Sequence, residues 1–171
     1  DESQNARIAL DRLIAEIARL PLAVRSRLTL ENDERAYGAD EILQACLASG
    51  VAMVFDAHHH VIHAGLDSYD GADVGRALRA AAATWIDPGW QLTHISNGRA
   101  GFSDMAHSDF VSDMPRSFRD APWIEIEAKA KEQAIARIQQ GLWGRLPITA
   151  RLVRRLGRHV DPLKLHAELP Q

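Results

Sequence analysis

One cysteine, Cys46, stands among the 171 residues, so no disulfide can form within the chain and an oxidising compartment is not required. Its place in the helix-like stretch Glu41–Ser49 reads as a small apolar packing residue. No apolar run approaches the roughly 18–20 residues that a membrane span needs. The first residues, Asp1-Glu2-Ser3-Gln4-Asn5, lack the basic-then-apolar order of a signal peptide. A cytoplasmic protein without a membrane partner is the expectation. Strong net charge is lacking too: the balance is −3, which by itself gives no sign of a polyanion partner. What is present is an ordinary globular composition, 46% hydrophobic and 25% charged, enough for one sizeable core.

The charges are unevenly placed. From Lys129 onward there are nine Lys/Arg against three acids. Such a stretch can neutralise phosphates or simply be a solvated helix face.

Hydrophobic periodicity orders the chain. Ile8, Leu10, Leu13, Ile14, Ile17 and Leu20 predict an amphipathic helix over 6–20, stopped by Pro21. Arg27–Glu31 reads as a short strand, and Ala39–Ser49 as a helix with Asp40 near its N-cap and Gly50 just beyond its end. The continuous apolar run Val51–Phe55 suits a strand buried on both faces and ends at Asp56. An Ala-rich helix over Asp73–Trp85, a turn at Asp87-Pro88-Gly89 and a strand at Gln91–Ile95 follow. Then come a long Gly/Ser/Asp-rich loop from Ser96 to Ser108, a strand at Trp123–Glu127 and a helix at Ala128–Leu142. The alternation predicts an α/β fold with a parallel sheet and helical crossovers. Four strands make an open sheet or half a barrel, because a complete (β/α)₈ barrel takes at least about 200 residues. The chain is therefore expected to be a fragment or to pair with something.

Every predicted strand ends in a metal-type side chain: Glu31, Asp56 with His58-His59-His60 just beyond, His94, and Glu127. Active sites of barrels and doubly wound sheets lie at the carboxyl ends of the strands, about 4.8 Å apart from strand to strand, so these groups can converge. Carboxylates and imidazoles without thiolate favour manganese, zinc or magnesium. The same ligands suit phosphodiester hydrolysis or a sugar isomerisation. Taken singly, each has a structural alternative: His58 and His60 as packing groups, His94 as a core histidine, His107 and Asp109 as exposed loop residues. His59, three residues after Asp56, is the one of the three histidines expected to bind. Glu125 shares a strand face with Glu127, so it is expected one layer deeper, with a cationic partner or a proton. Trp85, Trp90 and Trp123 read as core or interface aromatics.

Five segments together resemble the UV damage endonuclease family: Leu28-Thr29-Leu30-Glu31-Asn32-Asp33, Val54-Phe55-Asp56-Ala57-His58-His59-His60, Thr93-His94-Ile95-Ser96, His107-Ser108-Asp109 and Glu127-Ala128-Lys129-Ala130-Lys131-Glu132. The resemblance runs from about Arg27 to Arg137. It implies a (β/α)₈ TIM-type barrel related to endonuclease IV, of which this chain covers about the last four β/α units. It also implies a divalent metal cluster, typically manganese, and nicking of damaged double-stranded DNA immediately 5′ to ultraviolet photoproducts and some other lesions, leaving a 3′-hydroxyl and a 5′-phosphate. On this resemblance Glu31, Asp56 and Glu127 are the catalytic residues. Glu31 would bridge two ions, Asp56, His94 and Glu127 would bind the central one with it, and His59 and His107 would hold a third. Asp109 is a weaker candidate beside that third ion, and Lys129 and Lys131 would steady the DNA backbone.

The family's first four strands, with further metal-binding histidines, have no counterpart, so a missing N-terminal half or a self-associating partner is expected. Leu92 stands where the family has a lysine, two residues before His94. Residues 1–146 are expected to form the half-barrel and 147–171 a basic helical tail. The alternatives are a metal-dependent sugar isomerase on the same architecture, which needs a closed polar pocket rather than an open basic groove, and a non-catalytic half-barrel that dimerises through its open edges.

Overall fold

A computed structural model describes residues 2–141 of the chain. The boundary expected near residue 146 and the basic tail lie outside the described residues. Four strands, β1 (Thr29–Glu31), β2 (Ala52–Asp56), β3 (Leu92–Ile95) and β4 (Trp123–Ile126), pair in parallel in the order β1-β2-β3-β4. Six helices accompany them: α1 (Glu2–Arg19), α2 (Leu22–Arg25), α3 (Ala39–Ser49), α4 (Ala57–His63), α5 (Ala72–Ala82) and α6 (Glu132–Gln140). Strand order equals chain order with no reversal. That is how a barrel winds, whereas a doubly wound sheet reverses direction at a switch point. The chain forms an arc of a TIM-type β/α barrel, and among the described residues neither β1 nor β4 has a strand on its outer edge.

The pleat sorts the side chains. Residues paired across parallel strands point to the same side, and alternate residues share a face. Leu30 pairs with Met53, Phe55 with Thr93, and Ile95 with Ile126. This face packs against the helices through Ile42, Cys46, Val61, Val74, Ala77, Leu78 and Ala81. Each large side chain buried here contributes on the order of 1.5–3 kcal/mol. The Cys46 thiol belongs to this core, and burial pushes its pKa up to about 11, so it is an unreactive packing group as expected. The other face carries Glu31 beside Val54, then Asp56 beside His94 beside Glu125. A polar row thus lines the concave side.

Several elements depart from expectation in informative ways. The helix after β1 begins at Gly38, whose backbone N–H donates to the Glu41 carboxylate at 2.8 Å, so the cap lies two residues before Asp40. Residues 57–63, to which periodicity assigns no element, form α4, because Asp56 caps it: one carboxylate oxygen accepts from the His59 N–H at 2.8 Å. The Ala-rich helix ends at Ala82, since Thr84 and Trp85 turn back to the sheet. There the Thr84 hydroxyl accepts from the Met53 N–H and the Trp85 indole donates to the Met53 carbonyl, both at 2.8 Å. Met53 lies before the β2–β3 ladder begins at Phe55, so these side chains satisfy backbone groups that β3 does not reach. The helix after β4, α6, starts at Glu132 rather than Ala128, because Lys129 and Ala130 donate their backbone N–H groups to the carbonyls of Ser108 and Asp109 at the end of the long loop.

Candidate metal centre

The register built by the apolar face decides what meets on the polar one. Asp56 and His94 are direct partners across β2 and β3, His94 and Glu125 across β3 and β4, and Glu127 continues the ladder by donating its N–H to the Ile95 carbonyl at 2.9 Å. Glu31 reaches His94 at 2.9 Å, and Glu127 lies 3.5 Å from the same ring nitrogen. His107, on the loop after β3, faces Glu127 at 3.8 Å. Three overlapping donor groups result, each with ligand atoms within 4.8 Å of one another: Glu31, His94 and Glu127; Glu31, Asp56 and His59; His59, His107 and Glu127. All six expected metal-site residues therefore converge, with Glu31, His59 and Glu127 each shared between two groups.

Each donor is held by something specific. Asp56 is fully buried; one oxygen caps α4, and the other, Oδ2, has no hydrogen-bond partner. A buried carboxylate oxygen left unpaired costs roughly 1–3 kcal/mol or more unless a cation or donor meets it. His59 Nδ1–H donates to the Asn32 carbonyl at 3.0 Å, which leaves the Nε2 lone pair for a ligand. Asn32 is the residue that sequence reasoning missed. Fully buried, it clamps the ends of β1 and β2 by accepting the Asp56 N–H at 3.0 Å and donating to the Asp56 carbonyl at 2.9 Å. Its signal was available: an amide directly after a strand-ending glutamate is poorly explained as a solvated loop residue. Glu34, also not singled out, sits 3.7 Å from His59 Nε2.

The electrostatics are those of a cation site lacking positive charge. Burial pushes the His94 imidazole down, but the hydrogen bond and charge of Glu31, with the charges of Glu127 and Asp56, outweigh it and hold the pKa above the usual imidazole value. His59 behaves alike: burial opposes, while Asp56, the Asn32 carbonyl, Glu34 and Glu31 raise it. Burial, then the neighbouring Asp56 and Glu31 charges, raise the Glu127 carboxyl. Crowded carboxylates, two imidazoles drawn toward protonation and an orphaned Asp56 oxygen fit a divalent ion.

Other expectations fall out differently. Glu125 is 57% exposed rather than deep in a closed barrel, because β4 is an edge strand here; its partner is His94, at 3.5 Å. Asp109 is exposed and belongs to none of the donor groups among the described residues, its backbone carbonyl being what the fold uses. Lys129 and Lys131 are exposed just past the Glu127 end of β4, and Lys131 takes a positive φ of 49°. His58 and His60 do not join the donors: His58 bonds Tyr69, and His60 bonds Asp73 at 3.0 Å. Trp90 and Trp123 stack with centroids 6.0 Å apart at the opposite, N-terminal end of β3 and β4 and remain exposed, whereas Trp85 is tied to β2.

Comparisons with known proteins fit this geometry. The family model described as UV-endonuclease UvdE matches residues 2–152. A UV DNA damage endonuclease of Nostoc sp. is 51% identical over 129 residues, 75% of this chain and 40% of the relative. One from Deinococcus radiodurans is 50% identical over 127 residues, 74% of this chain and 42% of the relative. A UV-damage endonuclease of Schizosaccharomyces pombe is 33% identical over 132 residues, 74% of this chain and 22% of the relative. The crystal structure of SacUVDE superposes with a TM-score of 0.63 at 25% identity, covering 79% of this chain and 47% of that one. The chain spans about two fifths of the length of the two bacterial relatives.

Proposed function

The chain belongs to the UV-endonuclease UvdE family, and from that premise we propose that it supplies the carboxyl-terminal, metal-binding half of a DNA-repair endonuclease, which hydrolyses the phosphodiester 5′ to ultraviolet photoproducts and other lesions in double-stranded DNA. The observation that carries the reading is the convergence of six carboxylate and imidazole donors in three overlapping groups, one of which includes the fully buried Asp56, whose Oδ2 has no hydrogen-bond partner. A family match over residues 2–152 favours this reading over the sugar isomerase.

Glu31, shared between two donor groups, would bridge neighbouring ions. By the family resemblance Asp56, His94 and Glu127 would hold the central ion, and His59 with His107 another. The donor groups join His94 with Glu127 and His59 with His107, while Asp56 is grouped with Glu31 and His59 and neighbours His94 only in the sheet register. Manganese is the first choice, zinc or magnesium the next. When bound, such ions lower the pKa of a coordinated water toward neutrality and offset the charge that develops on a phosphoryl group in flight. The protein's own contribution is placement. Asp56 is fixed by capping α4, His59 by the Asn32 carbonyl and His94 by Glu31. The donors thus meet the substrate without reorganising, which is how preorganised sites lower barriers. Lys129 and Lys131, exposed beside the Glu127 end of β4, are placed to meet backbone phosphates.

Among the described residues β1 and β4 have no further strand on their outer edges, and the complement proposed for them is either an N-terminal half-barrel or a second copy of the chain. The decisive assay is cleavage of a duplex bearing one defined photoproduct, with Mn²⁺. It compares the chain alone, the chain with a relative's N-terminal half supplied separately, and Glu31→Gln in each. A Mn²⁺-dependent nick 5′ to the lesion, lost in Glu31→Gln, is expected once the barrel is closed. Absence of any nick from a correctly assembled complex overturns the reading.

A further inference from the structure

His58 lies in the first turn of α4, between the cap residue Asp56 and the donor His59; it is fully buried, joins none of the donor groups, and sets its ring edge to face against that of His107, 6.4 Å away. Its two ring nitrogens have unlike partners. Nε2 is 2.9 Å from the Asp104 carbonyl, which can only accept, so Nε2 carries the proton. Nδ1 is then an acceptor, and the Tyr69 hydroxyl, with one proton to give, donates to it at 2.6 Å in preference to the Ser96 carbonyl at 3.2 Å. The Tyr69 oxygen in turn accepts from Asn97 Nδ2 at 3.2 Å. Asn97 holds the base of the long loop: the two hydrogens of Nδ2 are shared among the Ser96 carbonyl at 2.7 Å, the Asp113 carbonyl at 3.0 Å and Tyr69, and Oδ1 accepts the N–H groups of Ser112 and Asp113 at 2.8 and 3.0 Å.

The tip of that loop is tied as well. Asp104, whose carbonyl meets His58, accepts the N–H groups of Ala100 and Ala106 on its two carboxylate oxygens, both at 2.9 Å. His107 is the next residue, and Ser108 N–H returns to the Asn97 carbonyl at 2.8 Å. A single chain of hydrogen bonds therefore runs from the loop tip through α4 to the loop base, and His107 lies between its two anchors on the loop.

We infer that His58 and Tyr69 are positioning residues, a relay that fixes the loop carrying His107 against the helix carrying His59, so that the two imidazoles share one metal ion. The inference rests on the metal-centre reading above, but its geometric half does not need an ion. Tyr69→Phe removes one oxygen and keeps the ring packed on Phe102, 4.9 Å away centroid to centroid. His58→Leu breaks the same link from the other side, removing both ring-nitrogen bonds while keeping an apolar side chain in the buried position.

Two measurements on the full chain test it. First, with no metal added, hydrogen exchange at Arg99 and Ser108, whose amides close the loop, is expected to speed up in both variants while β2 exchange stays as in the wild type. Second, Mn²⁺ titration is expected to show the ion held by His59 and His107 weakened about 10- to 100-fold, the range typical for outer partners of metal ligands, with the ion at Glu31, His94 and Glu127 unchanged. The double variant Tyr69→Phe/His107→Asn should bind no worse than His107→Asn alone, because both changes act on one ligand. Unchanged loop exchange in both variants, or losses that spread equally over all ions, overturns the relay. A wild-type chain that takes up no Mn²⁺ while loop exchange still responds refutes the metal reading and leaves the relay standing as a loop anchor.

Discussion

At the scale of single residues, the site is a contest between burial and charge. His59 and His94 are both held above the ordinary imidazole value of 6.5 because surrounding carboxylates outweigh their desolvation. A histidine whose pKa is raised on folding stabilises the fold fully below pH 6.5, and that contribution is lost as pH rises through the folded value. His58 and His60 are lowered, chiefly by burial, so they act in the opposite sense and cost stability as pH falls below 6.5. Without metal, the contribution of these four groups to stability is therefore greatest near pH 6.5 and declines on both sides. Mn²⁺ must displace the protons of His59 and His94, so its affinity should rise from pH 6 to pH 8 and its binding should release protons near neutrality. Calorimetry in buffers of different ionisation enthalpy reads that release directly; an affinity flat across this range would mean that neither imidazole is a ligand.

At the scale of elements, the loop from Ser96 to Ser108 matters most. Its sequence is rich in Gly, Ser and Asp, and length alone leaves such a loop either functional or disordered. The structure makes it a folded unit in which Gly98 pairs with His107 across a β-bridge. The chain packs so closely here that a Cβ at Gly98 would stand 1.9 Å from the Gly101 carbonyl oxygen and 2.8 Å from that of Asp104. Backbone atoms cannot swing aside as a rotamer can. Gly98→Ala is therefore expected to destabilise the chain by about 1–3 kcal/mol, the usual cost of overpacking, and to weaken the ion that His107 helps hold. Urea unfolding and Mn²⁺ titration measure the two effects separately. A variant with wild-type stability would show that the loop rearranges freely.

At the scale of the whole molecule, the donors come from β1, β2, α4, β3, the loop after β3, and the residue just past β4, so an ion bound among them ties together segments from Glu31 to Glu127. A ligand that binds only the folded state stabilises it by mass action, about 2.7 kcal/mol at one hundred times its Kd. For a chain of this size that corresponds to a rise in Tm of roughly 5–10 °C. Thermal unfolding with and without Mn²⁺ should show this shift in the wild type and a smaller one in Glu31→Gln, since Glu31 serves two donor groups. Equal shifts in both proteins would place the ion elsewhere.

The amino-acid sequence by itself determined the order of helices and strands, the parallel sheet and the set of strand-end donors. Each of these depends on local pattern: apolar runs of strand length, helical periodicity, and a polar residue where a buried strand stops. Glu31, Asp56, His94 and Glu127 were legible because a carboxylate or imidazole ending an apolar strand is locally conspicuous. Among His58-His59-His60 the spacing from Asp56 already pointed to His59, and the tertiary structure decided what holds each ring. Those partners follow from the turn of α4 begun by the Asp56 cap, which sends His59 toward Asn32 and His58 toward Tyr69. It also decided the exposure of Glu125, since burial depends on whether a neighbouring strand closes the barrel, a long-range fact that no local pattern carries. The roles of Asn32, Tyr69 and Asn97 depend on partners 24 to 28 residues away in the chain. Sequence spacing brings such residues to no common place; only the packed register of the sheet does.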